Sequence, residues 1–356
     1  MRKRPPAADA PGQLMRREIL EQPDVVARLC DAEGGTIAGL GRRLRRTPPE
    51  LIVLAARGTS DNAALYGRYL IETVWGIPVS LAAPSVLTIY GARLRLRGAV
   101  VVGLSQSGAS PDIVEFIEIA RRYGARTVAV TNQERSPLAR TAHDTLLLRT
   151  GPERSVAATK TYTAQLTALS LLVAEAAGGR RLVEAHRALP ALMARALATD
   201  DRIRAVARRW RRVEECLVTS RGYNYATARE AALKLKETCY LVAEPISAAD
   251  LLHGPIAVVQ RGFPVLLAAP PGRVLPNLSA LASKLRRRHA HTVVLSSDRP
   301  MLRKAVVPVE MPAVPDERLS PHVYVLPLQL LAYHLSRARG HDPDHPRGLR
   351  KITRAR

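Results

Sequence analysis

At 356 residues with an apolar share of 47%, the chain is too long for one ordinary domain and long enough for two, each with its own core. This composition excludes a disordered chain, and no stretch approaches the ~18 uninterrupted apolar residues of a membrane span. The net charge is +23, from 54 basic and 31 acidic residues, but the arginines are scattered and aromatic residues make up only 4%. With no helix-turn-helix extension, zinc finger or aromatic-rich RNA motif, the charge reads as a solvated surface that attracts anionic ligands and not as a nucleic-acid interface. Cys30, Cys216 and Cys239 show no metal-type spacing and no disulfide framework, which fits a reducing cytoplasm. No metal-ligand cluster is visible, so no cofactor is expected.

In chain order, residues 1–20 begin MRKRPPAADAPGQ, basic with no apolar segment behind them, and read as a loose, disordered tail. Short apolar runs at 51–55, 77–82, 99–104, 126–131 and 144–148 read as strands buried on both faces. Helices alternate with them, including 111–123 and a long apolar helix over 160–177. A helical connection follows at 179–204, and a second series of strands at 215–219, 264–268, 291–296 and 305–310. The two halves repeat. LIVLAARGTSDNAALYGRYLIE (51–72) parallels ECLVTSRGYNYATAREAALKLKE (215–237), and the segment 100–132 parallels 264–297 at nearly the same offset. One long period of this kind means a duplicated domain. The expected architecture is two tandem α/β domains over 21–178 and 205–340, each a flavodoxin-like parallel sheet flanked by helices, with 341–356 as a C-terminal tail.

Ligands of such sheets bind beyond the carboxyl ends of the strands, so the strand-to-helix loops come first. Ser105-Gln106-Ser107-Gly108-Ala109-Ser110 follows the strand 99–104 and precedes a helix that opens on Pro111. Hydroxyls and backbone N–H groups at a helix N-terminus make an anion site. Thr59 and Ser60, after strand 51–55, stand where they can add donors. The matching loop of the second half, Ala269-Pro270-Pro271-Gly272-Arg273, lacks hydroxyls, so one phosphate site per chain is expected. Further on, Lys234 and Glu237 share a helix face, with His253-Gly254-Pro255 sixteen residues beyond the helix motif. Taken alone, a helical Lys/Glu pair is ordinary surface decoration. A carboxylate beside a lysine with a histidine nearby also suits general acid–base work on a sugar.

The combination is more specific than its parts. Gly58-Thr59-Ser60, Ser105-Gln106-Ser107-Gly108, Ser155-Val156-Ala157-Ala158-Thr159-Lys160, Ala232-Leu233-Lys234-Leu235-Lys236-Glu237, His253-Gly254-Pro255 and Asp342-Pro343-Asp344-His345-Pro346-Arg347-Gly348-Leu349-Arg350-Lys351 occur in this order across about residues 20–352. With these motifs the chain resembles the sugar-isomerase (SIS) double-domain family. The match is to the isomerase half of glucosamine-6-phosphate synthase and to the isomerase-type glucosamine-6-phosphate deaminases. The resemblance implies that Ser105, Gln106, Ser107 and Ser110, with Thr59 or Ser60, hold a 6-phosphate. It implies that Glu237 shuttles a proton between C1 and C2 with Lys234 assisting, and that Val156 lines the sugar pocket. It further implies that His253 helps open the sugar ring, often from a neighbouring subunit, and that Lys351 engages the sugar carbonyl. A homodimer with a shared active site is therefore expected, with the tail 341–356 closing it.

Three departures point to the deaminase-like branch. Met1 is followed by Arg2 where the synthase has a cysteine, and the family match begins near Gln22, leaving no room for a glutaminase domain. The loop Pro84-Ser85-Val86-Leu87-Thr88-Ile89-Tyr90 departs from the acidic Glu-Phe-Arg-Tyr pattern of the synthase, and the tail runs on through Ile352-Thr353-Arg354-Ala355-Arg356 without the synthase's acidic end. The expected reaction is glucosamine 6-phosphate to fructose 6-phosphate plus ammonia. The rivals are an isomerase or deaminase of galactosamine 6-phosphate or a glycated amino-acid phosphate, a non-catalytic sugar-phosphate sensor, and, on charge alone, a nucleic-acid-binding regulator.

Overall fold

The computed structural model describes residues 10–351. Each half builds a five-stranded parallel sheet. The first contains β1 (Leu51–Ala55), β2 (Val79–Leu81), β3 (Ala99–Leu104), β4 (Arg126–Thr131) and β5 (Asp144–Leu147), in the order β2-β1-β3-β4-β5. The second contains β6 (Glu215–Ser220), β7 (Val242–Ser247), β8 (Pro264–Ala268), β9 (His291–Ser296) and β10 (Val307–Glu310), in the order β10-β9-β8-β6-β7. Read from the β2 and β7 edges, the two orders are the same, which is the duplication seen in the sequence. This is the flavodoxin-like arrangement, in which the chain leaves the sheet in opposite directions at β1 and β3 and opens a crevice there.

Central strands are apolar on both faces because both faces are covered. Ile52, Leu54, Val100, Val102, Val128 and Val130 face a helical layer shared with the second sheet, where Val218, Leu266, Val293 and Leu295 meet it from the other side. Val53, Val101 and Ala129 face outward onto Ile113, Phe116 and Ile117 of the helix Pro111–Arg122. The second sheet repeats this with Val265 and Leu267 against Leu278 and Leu281. The shared layer contains the helices Lys160–Ala176 and Ser320–Ala338, both buried nearly all round, which explains their lack of a polar face. Among the described residues no helix is long and apolar enough to cross a membrane.

Two elements differ from the sequence reading. β7 was not expected, because Glu244 and Pro245 interrupt its apolar pattern. It forms at the sheet edge, where β6 pairs with it on one side only and a proline is tolerated. The segment 1–20, read as a loose tail, is helical over Gln13–Leu20, with Met15 and Ile19 fully buried. Its residues 1–9, like residues 352–356 of the C-terminal tail, lie outside the described residues.

Candidate active site

The loop 105–110 ends β3 at the crevice. Gly108 takes φ 60°, and a Cβ there would overlap the Ser136 hydroxyl, so only glycine allows the turn. The Ser105 hydroxyl oxygen accepts the Gly108 N–H at 3.2 Å and pairs with Ser110 Oγ at 3.2 Å. Ser107 Oγ accepts the Ala109 N–H at 3.2 Å. Accepting from the backbone leaves the Ser107 hydroxyl hydrogen available to a ligand, and the Ser105–Ser110 pair, which shares one hydrogen between its two oxygens, leaves one more. Ser110 is the N-cap of the 12-residue helix Pro111–Arg122 and makes no side-chain cap bond. The helix N-terminus therefore adds its partial positive charge to the same spot. A second helix, Thr59–Leu70, begins at the end of β1 beside it, through Gly58 at φ 55°. Ser60 Oγ accepts from Gln165 Nε2 at 2.8 Å, again leaving its hydrogen free, while Arg57 pairs with Asp112 at 2.7 Å.

The equivalent loop of the second half is closed to anions from within. Arg273 donates its backbone N–H to Glu317 Oε2 at 2.7 Å, and the Glu317 side chain occupies the space beside Gly272.

The opposite wall comes from the helix Tyr225–Cys239. Ala226, Ala228, Ala231 and Ala232 are buried along it, and such small side chains let it pack closely. Glu230, Lys234 and Glu237 fall on one face at i, i+4 and i+7. Lys234 is 1% exposed, with its Nζ 2.5 Å from Glu237 Oε2 and 3.6 Å from Glu230 Oε1. Burial works to lower the Lys234 pKa, but the two carboxylates outweigh it and the net shift is upward, so the ammonium stays charged. Glu230 is fully buried and accepts from Asn62 Nδ2 at 2.8 Å and Thr59 Oγ1 at 3.1 Å. Burial raises it to about 7 against the pull of Lys234. Glu237 is half-buried and reaches the cavity.

The C-terminal tail forms the third wall. Lys351 Nζ donates to Ser155 O at 2.6 Å and to Glu153 Oε2 at 3.2 Å. Glu153 also accepts the N–H groups of Thr159 and Thr161. Its burial works to raise its pKa, but Lys351 and these donors bring it below the ordinary carboxylate value.

One cavity of about 420 Å³ brings these walls together. It is lined by every sequence-predicted residue except His253: Thr59, Ser60, Ser105, Gln106, Ser107 and Ser110 on one side, Lys234 and Glu237 on the other, with Val156 and Lys351 between. His253 ends the short helix Ala248–Leu252 on the second domain and is exposed, outside this cavity. Sequence reasoning missed Glu230 and Glu153. Glu230 carried a signal, since it stands four residues before Lys234 on the same face. Glu153 meets Lys351 only through the fold.

An anion cradle facing an acid–base pair across a small cavity equips a protein to hold a phosphorylated molecule at one end and move protons at the other. Such an arrangement, on two tandem parallel α/β units, suits an enzyme of small phosphorylated molecules. The SIS domain model matches residues 48–175 and 211–338, and the chain belongs to the SIS-domain family as two copies of that domain. It is 34% identical over 345 residues to a glutamine–fructose-6-phosphate aminotransferase [isomerizing] of Pyrococcus horikoshii, covering 95% of this chain and 57% of that protein. The corresponding protein of Gloeobacter violaceus is 37% identical over 353 residues, again covering 95% of this chain and 58% of its own length. The chain thus spans a little over half the length of these curated relatives. Among solved structures, a protein of Silicibacter pomeroyi described as a phosphosugar isomerase superposes with a TM-score of 0.84 at 36% identity, covering 93% of this chain and 99% of that one. The C-terminal domain of glucosamine-fructose-6-phosphate aminotransferase from Francisella tularensis gives 0.84 at 26% identity, over 94% and 98%.

Proposed function

We propose that the chain is an amino-sugar 6-phosphate isomerase working in the deaminating direction, from glucosamine 6-phosphate to fructose 6-phosphate and ammonia. The observation that carries this reading is the cavity itself, which sets the Ser105–Ser110 cradle opposite Glu237 with Lys351 between them. In this reading Ser105, Gln106, Ser107 and Ser110, with Ser60, hold the 6-phosphate, while the Thr59 hydroxyl donates to Glu230. Charge-assisted hydrogen bonds to phosphate are the strong kind, and several act at once. Val156 packs against the sugar, and Lys351 meets the carbonyl end.

Once the ring is open, the Glu237 carboxylate takes the proton from C2 and returns it to C1. The C1 aldehyde becomes an alcohol carbon and the C2 amine becomes an imine, with O1 gaining a proton and the nitrogen giving one up. Water adds to the imine carbon and ammonia leaves, giving the ketose phosphate. Lys234, whose Nζ lies 2.5 Å from Glu237 Oε2, holds the carboxylate in place between steps. The relatives' names support the substrate class, since they pair fructose 6-phosphate with isomerisation. The deaminating direction asks of the cavity only a held phosphate, a base at Glu237 and room for water.

The test is to incubate the protein with glucosamine 6-phosphate and follow ammonia and fructose 6-phosphate together, in parallel with fructose 6-phosphate plus glutamine. Ammonia and ketose should appear in equal amounts in the first, and no amino sugar in the second. Amination by glutamine, or no ammonia from the amino sugar, would refute the deaminating direction.

Ring opening is assigned to His253 of a second copy of the chain. The exposure of His253 outside its own chain's cavity supports a homodimer with shared sites. Mixing Glu237→Gln chains with His253→Ala chains should restore part of the activity, because one site of each mixed dimer then holds both intact residues. Mixed dimers as inactive as either parent would remove the shared site.

A further inference from the structure

Among the described residues the last helix is Ser320–Ala338, and Lys351 lies in the segment beyond it. Its position is set from the other end of the chain. The helix Gln13–Leu20 has Gly12 as N-cap and no side-chain cap of its own. Its first N–H groups are instead received by the tail. Asp344 Oδ1 accepts from Met15 N at 2.7 Å and Oδ2 from Leu14 N at 3.0 Å, while Asp342 Oδ1 accepts from Gly12 N at 2.9 Å. Asp344 is 2% exposed, and its carbonyl accepts the Val156 N–H at 3.1 Å.

One turn further along the same helix, Glu18 accepts the N–H groups of Arg154 and Ser155. The Ser155 carbonyl is the one that receives the Lys351 ammonium. The helix is itself fixed, with Met15, Glu18 and Ile19 buried and Gln22 of the following helix bonded to Gln329 at 2.7 Å.

We infer that the helix Gln13–Leu20 is a clamp that positions Lys351, with Asp344 fixing the tail that carries the lysine and Glu18 fixing the loop that receives it. The inference rests on the reading of Lys351 as the residue that meets the sugar carbonyl. Asp344 and Glu18 are positioning residues under this account and touch no substrate. Loss of the tail's anchor lets the ammonium drift while the phosphate cradle stays intact, so the cost falls on kcat and not on KM. Misplacement by about 1 Å costs on the order of 10²-fold in an oriented reaction.

The experiment measures turnover of glucosamine 6-phosphate by Asp344→Ala, Lys351→Ala and the double variant, with binding of the unreactive open-chain sugar glucitol 6-phosphate as the check on folding and on the cradle. Asp344→Ala should lose about 10- to 100-fold in kcat with glucitol 6-phosphate binding unchanged. Added to Lys351→Ala it should cost nothing more, because its effect runs through the lysine. Asp344→Asn, which keeps one acceptor oxygen, should recover part of the loss. An independent readout is hydrogen exchange, which should quicken at Leu14, Met15 and Val156 in Asp344→Ala. Equal losses from Asp344→Ala in the Lys351 and Lys351→Ala backgrounds would overturn the clamp. So would a wild-type kcat in Asp344→Ala beside an impaired Lys351→Ala, or unchanged exchange at the three amides. Wild-type turnover by Lys351→Ala would overturn the reading of the lysine itself and the clamp with it.

Discussion

Replacing Glu237 with glutamine should lower kcat by about 10²–10⁴-fold, the usual cost of a lost general base, while binding of the phosphorylated sugar stays near wild type. Glutamine keeps the size of the side chain and a hydrogen-bonding oxygen toward Lys234, 2.5 Å away in the native pair, but it cannot accept the C2 proton. The phosphate cradle belongs to the other domain and shares no hydrogen bond with Glu237, so KM should move little. The check is a pair of measurements on the same variant, steady-state turnover and equilibrium binding of glucitol 6-phosphate. Turnover near that of the wild type would take Glu237 out of the mechanism.

Lys234→Met should be the most destabilising single change in the site, by about 3–5 kcal/mol, because it leaves buried carboxylate unpaired. Methionine fills the stem of the lysine but supplies no charge to Glu230, which is fully buried, or to Glu237. The effect depends on pH in a definite direction. Glu230 has a folded-state pKa raised by burial from 4.5 to about 7 with Lys234 present, and removal of the lysine raises it further. A carboxyl whose pKa is higher folded than unfolded favours the folded state when protonated, so that contribution is lost as pH rises from 4.5 through the folded value. The destabilisation should therefore be smaller at pH 6 than at pH 8, read as the shift of the urea midpoint. Adding Glu230→Gln to Lys234→Met should recover stability at pH 8, since the orphaned charge is gone. A Lys234→Met protein as stable as the wild type at pH 8 would show that the buried ion pair is not what the geometry implies.

The parts of the site that a short segment encodes were legible in the sequence. The cradle Ser105–Ser110 is contiguous, follows an apolar strand and ends at Pro111, and each of those marks is local. Lys234 and Glu237 were legible from helical spacing alone, although their burial was not, because a Lys/Glu pair reads the same on a wet face and a dry one. Glu230 was passed over for that reason: nothing in its neighbours says that Asn62 and Thr59 of the first domain will cover it.

What the sequence hid is what depends on partners far along the chain. The helix Gln13–Leu20 has no local cap and carries charged residues, so it reads as tail. Its caps are Asp342 and Asp344, which the fold brings back from the other terminus. β7 was obscured by Pro245, which a sheet edge accepts and a central strand does not. The silence of the second-half loop was legible in its prolines, while its filling by Glu317, an acidic residue at a distant position, was not.

Under the proposed function, this cavity moves a proton between C2 and C1 of a sugar held by its 6-phosphate. The most direct measurement uses glucosamine 6-phosphate carrying deuterium at C2 and follows the label by nuclear magnetic resonance as fructose 6-phosphate forms. The label should leave C2, appearing at C1 or in water, at a rate that Glu237→Gln cuts by about 10²–10⁴-fold. Ammonia released while the label stays on C2, or a label that moves equally fast in Glu237→Gln, would contradict it.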